Sequence, residues 1–356
     1  MYKRQDITGS LLNTTVTVTD DVSIAEYDII KATTANAVQF DDTTGMIKDS
    51  IDNLYSATGT NKRVTSLNNA IKGDLNLNIQ VDGAVTSNFS QVNDIAGGTD
   101  GTDTYVGSLT ATMTGTASEL GVSLSNLSGS GTHADSITYN VSNAATVAEL
   151  AAMAGNTDQT INDSGIKDNL SNLVETNGTA GKANLTTALG KTTQPAIEVV
   201  ETIGSDTIIT ITEAADINEI NKLIELANSE GSAVTMSIED IAGSNLLLSN
   251  ELTNATGTGS AITVNLGTVA ADATKLGAIN TLAGKSSVTS LTANVTGITA
   301  ALIGNFGTTM SNVGSGSKFQ IDYTTTAVAL SLADAATLAG KTCLLYTSPS
   351  PRDKTV

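Results

Sequence analysis

One short block of sequence recurs six times, and this recurrence constrains the fold more than any other feature. Apolar residues fall at every third position and the block closes, with drift, on Ala-Gly. The anchors are Ile24, Tyr27 and Ile30; Phe89, Val92 and Ile95; Val147, Leu150 and Met153; Ile220, Leu223 and Leu226; Leu276, Ile279 and Leu282; and Leu332, Ala335 and Leu338. Ala96-Gly97, Ala154-Gly155, Ala227-Asn228, Ala283-Gly284 and Ala339-Gly340 follow the last five copies, while the first diverges to Lys31-Ala32. The final anchors are 65, 58, 73, 56 and 56 residues apart. Each block predicts a short helix, because this spacing puts its apolar side chains on one face and Gly or Asn suits the turn that ends a helix.

Upstream of each block the periodicity changes from three to two. Val16-Thr-Val18, Leu75 to Val81, Ile137 to Val141, Ile209 to Ile211, Ile262 to Leu266 and Phe319 to Tyr323 alternate apolar and polar residues, which predicts strands with one buried face. Gly-X-Gly turns at Gly129, Gly257 and Gly314 precede three of them. A second strand and helix fill each period. Ala37–Phe40 and Ala233–Ile238 read as second strands, and the octets Ile47–Leu54 and Ile166–Leu173, which lie 119 residues apart, read as second helices. Leu120, Leu124 and Leu127 repeat their spacing. The long third period, with Gly178–Gly181, Pro195 and Ile197–Val200, is expected to carry an insertion.

The expected fold is therefore an α/β repeat, a curved solenoid of strand-helix coils of about 30 residues with a parallel sheet on one side. Curvature is expected because parallel strands stack at about 4.8 Å whereas packed helices prefer roughly 8–10 Å. Tandem small β-rich domains are the alternative.

The two ends read differently from the middle. Tyr2-Lys3-Arg4-Gln5 can be encoded by a DNA word whose reverse complement, in a shifted frame, encodes Cys343-Leu-Leu-Tyr346. Residues 1–5 and 343–356 accordingly resemble translated sequencing adaptor, leaving 6–342 as an array of about six strand-helix-strand-helix units, the last incomplete. On this reading the chain is a fragment of a longer protein. The only cysteine, Cys343, leaves with the ends, and the net charge moves from −19 to −22, with 13 basic against 35 acidic side chains. Such a field disfavours nucleic acid and anionic lipid as partners. No stretch is apolar and long enough to insert in a membrane; the partners expected of each coil are the neighbouring repeats of the same chain.

Ala145-Thr-Val-Ala-Glu-Leu150, Ala271-Asp-Ala-Thr-Lys-Leu276 and Ala333-Asp-Ala-Ala-Thr-Leu338, set between Thr-rich strands, resemble the repeat regions of very long bacterial cell-surface and adhesin-like secreted proteins. The resemblance implies an extracellular or cell-surface location and a non-catalytic structural or adhesive role, with extracellular ligands. It carries over no catalytic, cofactor-binding or metal-binding residue.

Chemistry in the chain is sparse. The single histidine, His133, sits in a turn before a strand, without the nucleophile and orienting carboxylate that a general base requires. The glycine-rich stretches lack the P-loop and dinucleotide spacing, and the Gly-X-Gly turns precede strands, the wrong order for aiming a helix N-terminus at phosphate. A glycosidase-like pair would have to arise from repeated acids with few aromatic residues to stack sugar. No cofactor is expected, but calcium is possible. Gly97-Gly-Thr-Asp-Gly-Thr-Asp103 approaches a calcium-binding nonapeptide, and Asp20 with Asp21 and Glu239 with Asp240 stand at strand ends. The alternative function is therefore a calcium-assisted array that binds a glycan or protein.

Overall fold

The computed structural model describes residues 14–59, 62–97, 99–100, 103–104, 107–122, 124–131, 133–201, 208–240, 245–250, 252–256, 259–299, 301–303, 310–313, 318–322, 333, 336 and 344–346. It is a mixed α/β architecture with parallel sheets, and no closed barrel forms among the described residues. It divides into two compact units, residues 1–164 with 190–193, and 165–189 with 194–356.

In the first unit the elements run β1 (Val16–Val18), β2 (Asp21–Val22), α1 (Ile24–Thr33), β3 (Val38–Phe40), β4 (Met46–Ser50), α2 (Ile51–Leu54), α3 (Thr65–Gly73), β5 (Asn78–Val85), α4 (Ser90–Ala96), β6 (Thr99–Asp100), β7 (Asp103–Thr104), β8 (Leu109–Gly115), α5 (Ala117–Leu120), β9 (Ser136–Val141) and α6 (Val147–Gly155). One sheet has the order β2-β4-β5-β8-β9 and a second pairs β1 with β3, every pair parallel. A strand thus pairs with the next strand of its sheet after a crossover that contains at least one helix, the connection that parallel pairing demands.

The second unit opens with β10 (Ile166–Asn169), α7 (Leu170–Leu173) and α8 (Ala183–Lys191), whose last two residues fall to the first unit. It continues with β11 (Ile197–Val200), β12 (Ile208–Ile211), α9 (Ala214–Glu230), β13 (Val234–Asp240), α10 (Leu246–Ser249), β14 (Ala261–Ala270), α11 (Ala273–Ala283), β15 (Val288–Thr296), β16 (Lys318–Asp322) and β17 (Leu344–Tyr346). Its sheet order is β10-β11-β13-β14-β15-β16-β17, again all parallel, and β12 lies beside β13. Strand partners are separated by 26 residues at Thr235↔Ala261 and Thr292↔Lys318, and by the same number at Thr110↔Ser136 in the first unit. The extremes are 22 at Val16↔Val38 and 37 at Ile197↔Val234.

Alternation fixes which side chains form the core. Leu109, Ala111 and Met113 of β8, Ile137, Tyr139 and Val141 of β9, and Leu291, Ala293 and Val295 of β15 are buried. The helices close over them with Val92 and Ile95, Leu150 and Met153, and Leu276, Ile279 and Leu282, all at 0 % exposure. The anchors of the second, third and fifth blocks therefore do bury one helical face.

Several expectations need correction. The octets Ile47–Leu54 and Ile166–Leu173 are not helices throughout: each is a strand for its first half and a single helical turn for its second. The switch is made by Asp49 and Asp168. In each, Oδ1 accepts the next residue's amide and the side-chain amide four residues on, Asn53 at 2.7 Å and Asn172 at 2.7 Å, so the chain turns just where the strand ends. The fourth block runs longer than expected: α9 continues to a left-handed Gly231, and Ile224 and Ala227 are buried where Leu226 was expected. Ile197–Val200 is a sheet strand, and both it and β12 pair with β13. The interruption in the third period thus falls between β11 and β12. Mixed helix and strand content with parallel pairing sets aside the alternative of small β-rich domains.

Leu344–Tyr346, which the codon argument places outside the array, pairs in parallel with β16. The sixth block's Leu332, Ala335 and Leu338, the turns at Gly257 and Gly314–Gly316, and residues 1–5 lie outside the described residues.

Candidate functional site

The sequence-predicted residues do not converge. His133 is exposed in a turn. Asp21 pairs with Met46 at the start of a short strand, and Asp20 is exposed beside it. Thr99–Asp100 and Asp103–Thr104 form an antiparallel hairpin with Asp100 opposite Asp103. The buried Arg63 donates from Nη2 to the carbonyl of Gly97 and from Nε to that of Ile95 at 2.8 Å. Among the described residues no three His, Cys, Asp or Glu side chains come together as a metal site.

The acids instead tie backbone. Asp240, 0 % exposed, accepts from the Leu247 amide, and burial raises its carboxyl above the ordinary range. Asp135 is buried too and reaches between coils: its oxygens accept from the amides of Leu109 and Ser128, both at 2.8 Å. Burial pushes this carboxyl up, while those two hydrogen bonds pull it down. Asp49 and Asp74 make similar ties to the amides of Ile24 and Phe40. Glu26, Glu119 and Glu149 close capping boxes with Ser23, Thr116 and Thr146 at the starts of α1, α5 and α6.

A second tie was not anticipated from sequence. Asn126 donates its amide N–H to Asn93 Oδ1 at 2.9 Å and its side-chain Nδ2 to the Asn93 carbonyl at 3.0 Å. Asn254 makes the same two bonds to Asn221, at 3.3 and 3.0 Å, and Asn312 makes them to Asn280, at 2.7 and 3.2 Å. The separations are 33, 33 and 32 residues. Each donor asparagine is held between buried apolar neighbours: Leu124 and Leu127, Leu252 and Ala255, Met310 and Val313. The available signal was the recurring tetrad Leu124-Ser-Asn-Leu127, Leu252-Thr-Asn-Ala255, Met310-Ser-Asn-Val313.

Outward-facing side chains of the sheets form polar rows. On the first unit Asn162 donates to Asn140, which donates to Thr114. On the second, Thr263 donates to Ser237 at 2.8 Å and Asn265 to Glu239 at 3.1 Å, with Ser290 and Thr292 next in register. These last six residues line an open groove of about 330 Å3 with Ile208, 49 % exposed, at its edge. The groove contains one carboxylate. Acid-base cleavage of a glycoside calls for two flanking the bond.

No family model, curated protein or solved structure matches this chain. Among the described residues, buried acids and paired asparagines link successive strand-helix segments, and the polar sheet face presents one carboxylate.

Proposed function

We propose that the chain is a non-catalytic structural or adhesive segment of a large extracellular surface protein, in which strand-helix coils stack as a solenoid within each unit. The observation that carries the reading is the Asn-Asn tie, repeated three times with the same donors and acceptors. Polar groups of this chain are spent on holding successive coils in register, which is what a spacer or display scaffold needs. Stability in such an array is a sum of coil and nearest-neighbour terms.

Hydrogen exchange on Asn254→Ala tests it. The expected result is lost protection in β13, β14 and α9, with the first unit unchanged. Uniform loss through both units, or loss confined to residues 252–256, would defeat the stacked-coil reading. Proteolytic shaving of intact source cells tests the surface location; the expected outcome is release of peptides from this chain.

A further inference from the structure

The groove on the second unit's sheet face has a geometry that the coil ties do not explain. Its floor is a grid: Ser237, Thr263 and Ser290 form one cross-strand row, and Glu239, Asn265 and Thr292 form the next. Neighbouring strands lie about 4.8 Å apart and residues two apart on a strand about 7 Å, so the grid presents hydroxyls and an amide at short, regular intervals. Four of its six side chains are hydroxyls and one is a carboxylate. No lysine or arginine lines it.

These facts exclude ligand classes in turn. An anion would meet Glu239 and a chain of net charge −19 with no compensating base. A divalent cation would find a single carboxylate, one oxygen of which already accepts from Asn265. An extended peptide adding to the sheet needs an unpaired edge, whereas the grid lies on the face of strands paired on both sides at β13 and β14. A neutral polyhydroxylated chain remains. Its hydroxyls can both donate to and accept from Ser, Thr and Asn side chains, and Ile208 offers its C–H faces an apolar rim. The volume stands at the small end of the roughly 300–1,000 Å3 usual for ligand sites.

We propose that this groove binds a short stretch of neutral polysaccharide, with the hydroxyls of Thr263, Ser290 and Thr292 as its principal hydrogen-bonding groups. The proposal rests on reading the sheet face as the adhesive surface. Individual contacts are weak because each replaces a bond to water, so useful attachment would come from repeated engagement along one polymer.

Affinity electrophoresis of the full chain through gels containing dextran, mannan or hydroxyethyl cellulose tests the proposal. Retardation by at least one of these is expected, with the apparent association constant about fivefold to tenfold lower in Thr263→Val/Thr292→Val. Thr112→Val/Thr138→Val on the first unit should leave it unchanged. Glu239→Gln should keep most of the binding, since glutamine still accepts from Asn265. Absence of retardation in all three gels overturns the proposal. So does retardation that the Thr263/Thr292 variant does not alter, or that requires calcium and vanishes in Glu239→Gln, which would mark a cation site. Should the double variant unfold, amide shift mapping on the unaltered chain decides: perturbations at 237–239, 263–265 and 290–292 support the site, and perturbations elsewhere overturn it. A negative outcome leaves the hydrogen-exchange result on Asn254→Ala untouched, so the two readings fail separately.

Discussion

The turns after α4 and α6 end in the same dipeptide, Ala-Gly, yet the glycines do different work. A Cβ on Gly97 would lie 2.0 Å from Asn126 Nδ2, and one on Gly284 after α11 would lie 2.5 Å from Asn312 Nδ2. At Gly155 a Cβ would meet nothing within 4 Å. The difference follows from one position four residues earlier. That position is Asn93 before Gly97 and Asn280 before Gly284, where the helix receives a neighbour's asparagine, but Ala151 before Gly155. Around α6 the tie is made by backbone instead: Gly129 donates to the Gly155 carbonyl at 3.0 Å and packs against Thr157. A recurring glycine thus has two physical causes, and only one of them concerns the glycine's own turn.

This contrast is open to attack. The largest expected effect is at the backbone tie, because a Cβ on Gly129 would stand 2.2 Å from the Thr157 carbonyl oxygen, which has no rotamer to escape through. Gly129→Ala should cost about 3 kcal/mol in urea unfolding, at the upper end of overpacking penalties. An effect below about 1 kcal/mol would show that the coils are not held at this point.

Next come the asparagines. Asn126→Ala, Asn254→Ala and Asn312→Ala each remove the Nδ2 bond and keep the one from the backbone N–H, and should cost about 1 kcal/mol. A double-mutant cycle of Asn126→Ala, which removes the Nδ2 donor, with Asn93→Ala, which removes the Oδ1 acceptor, should return a coupling of about 0.5–1 kcal/mol, because each bond holds the geometry of the other. Additive costs would mean that the paired geometry contributes nothing.

Smaller again is the direct comparison of glycines. Gly97→Ala and Gly284→Ala should destabilise by about 1 kcal/mol as the asparagine is displaced, whereas Gly155→Ala should be neutral or stabilise by up to about 1 kcal/mol through the unfolded chain. Equal signs at all three sites would erase the distinction.

Acidity gives the finest test. Asparagine ties carry no titratable group, so the cost of Asn126→Ala should be flat from pH 7 to pH 3. The tie at Asp135 should not be. Its carboxyl is raised in the fold, so its contribution is fully present below the unfolded value near 3.8 and is lost as pH rises through the folded one. The stability gap between the parent and Asp135→Asn should therefore narrow as pH increases. Asp41 runs the other way: hydrogen bonds from Thr43 and Thr44 hold it at about 2, so its contribution is present above pH 4 and lost as pH falls toward 2. Thermal melts of Asp41→Asn should converge on the parent across that window.

These sites also mark how far the sequence could be read. Strand alternation and the triplet-spaced helices were legible because burial of one face leaves a periodic trace. The octets misled because Ile47, Ile51 and Leu54 satisfy a helical face, although the pairing of β4 with β5 and the aspartate at the strand end override that preference. β8 and β15 alternate just as clearly as the strands that were recognised. With alanine at Ala111 and Ala293, however, their buried face is less conspicuous. The polar groove was not legible at all, since it gathers residues from four strands. The asparagine ties left only the recurring apolar-Ser/Thr-Asn-apolar tetrad as a local trace, because each partner sits 32 or 33 residues away.

The in-order parallel pairing of the second unit also has a meaning under tension. Pulling on β16 loads the hydrogen bonds of one strand pair at a time, so the sheet should peel and not shear. Each released coil of 26 residues, the offset of Thr292↔Lys318, would lengthen the tether by roughly 90 Å. Such a chain, held at two points and stretched, would give a series of yielding steps in place of one abrupt break.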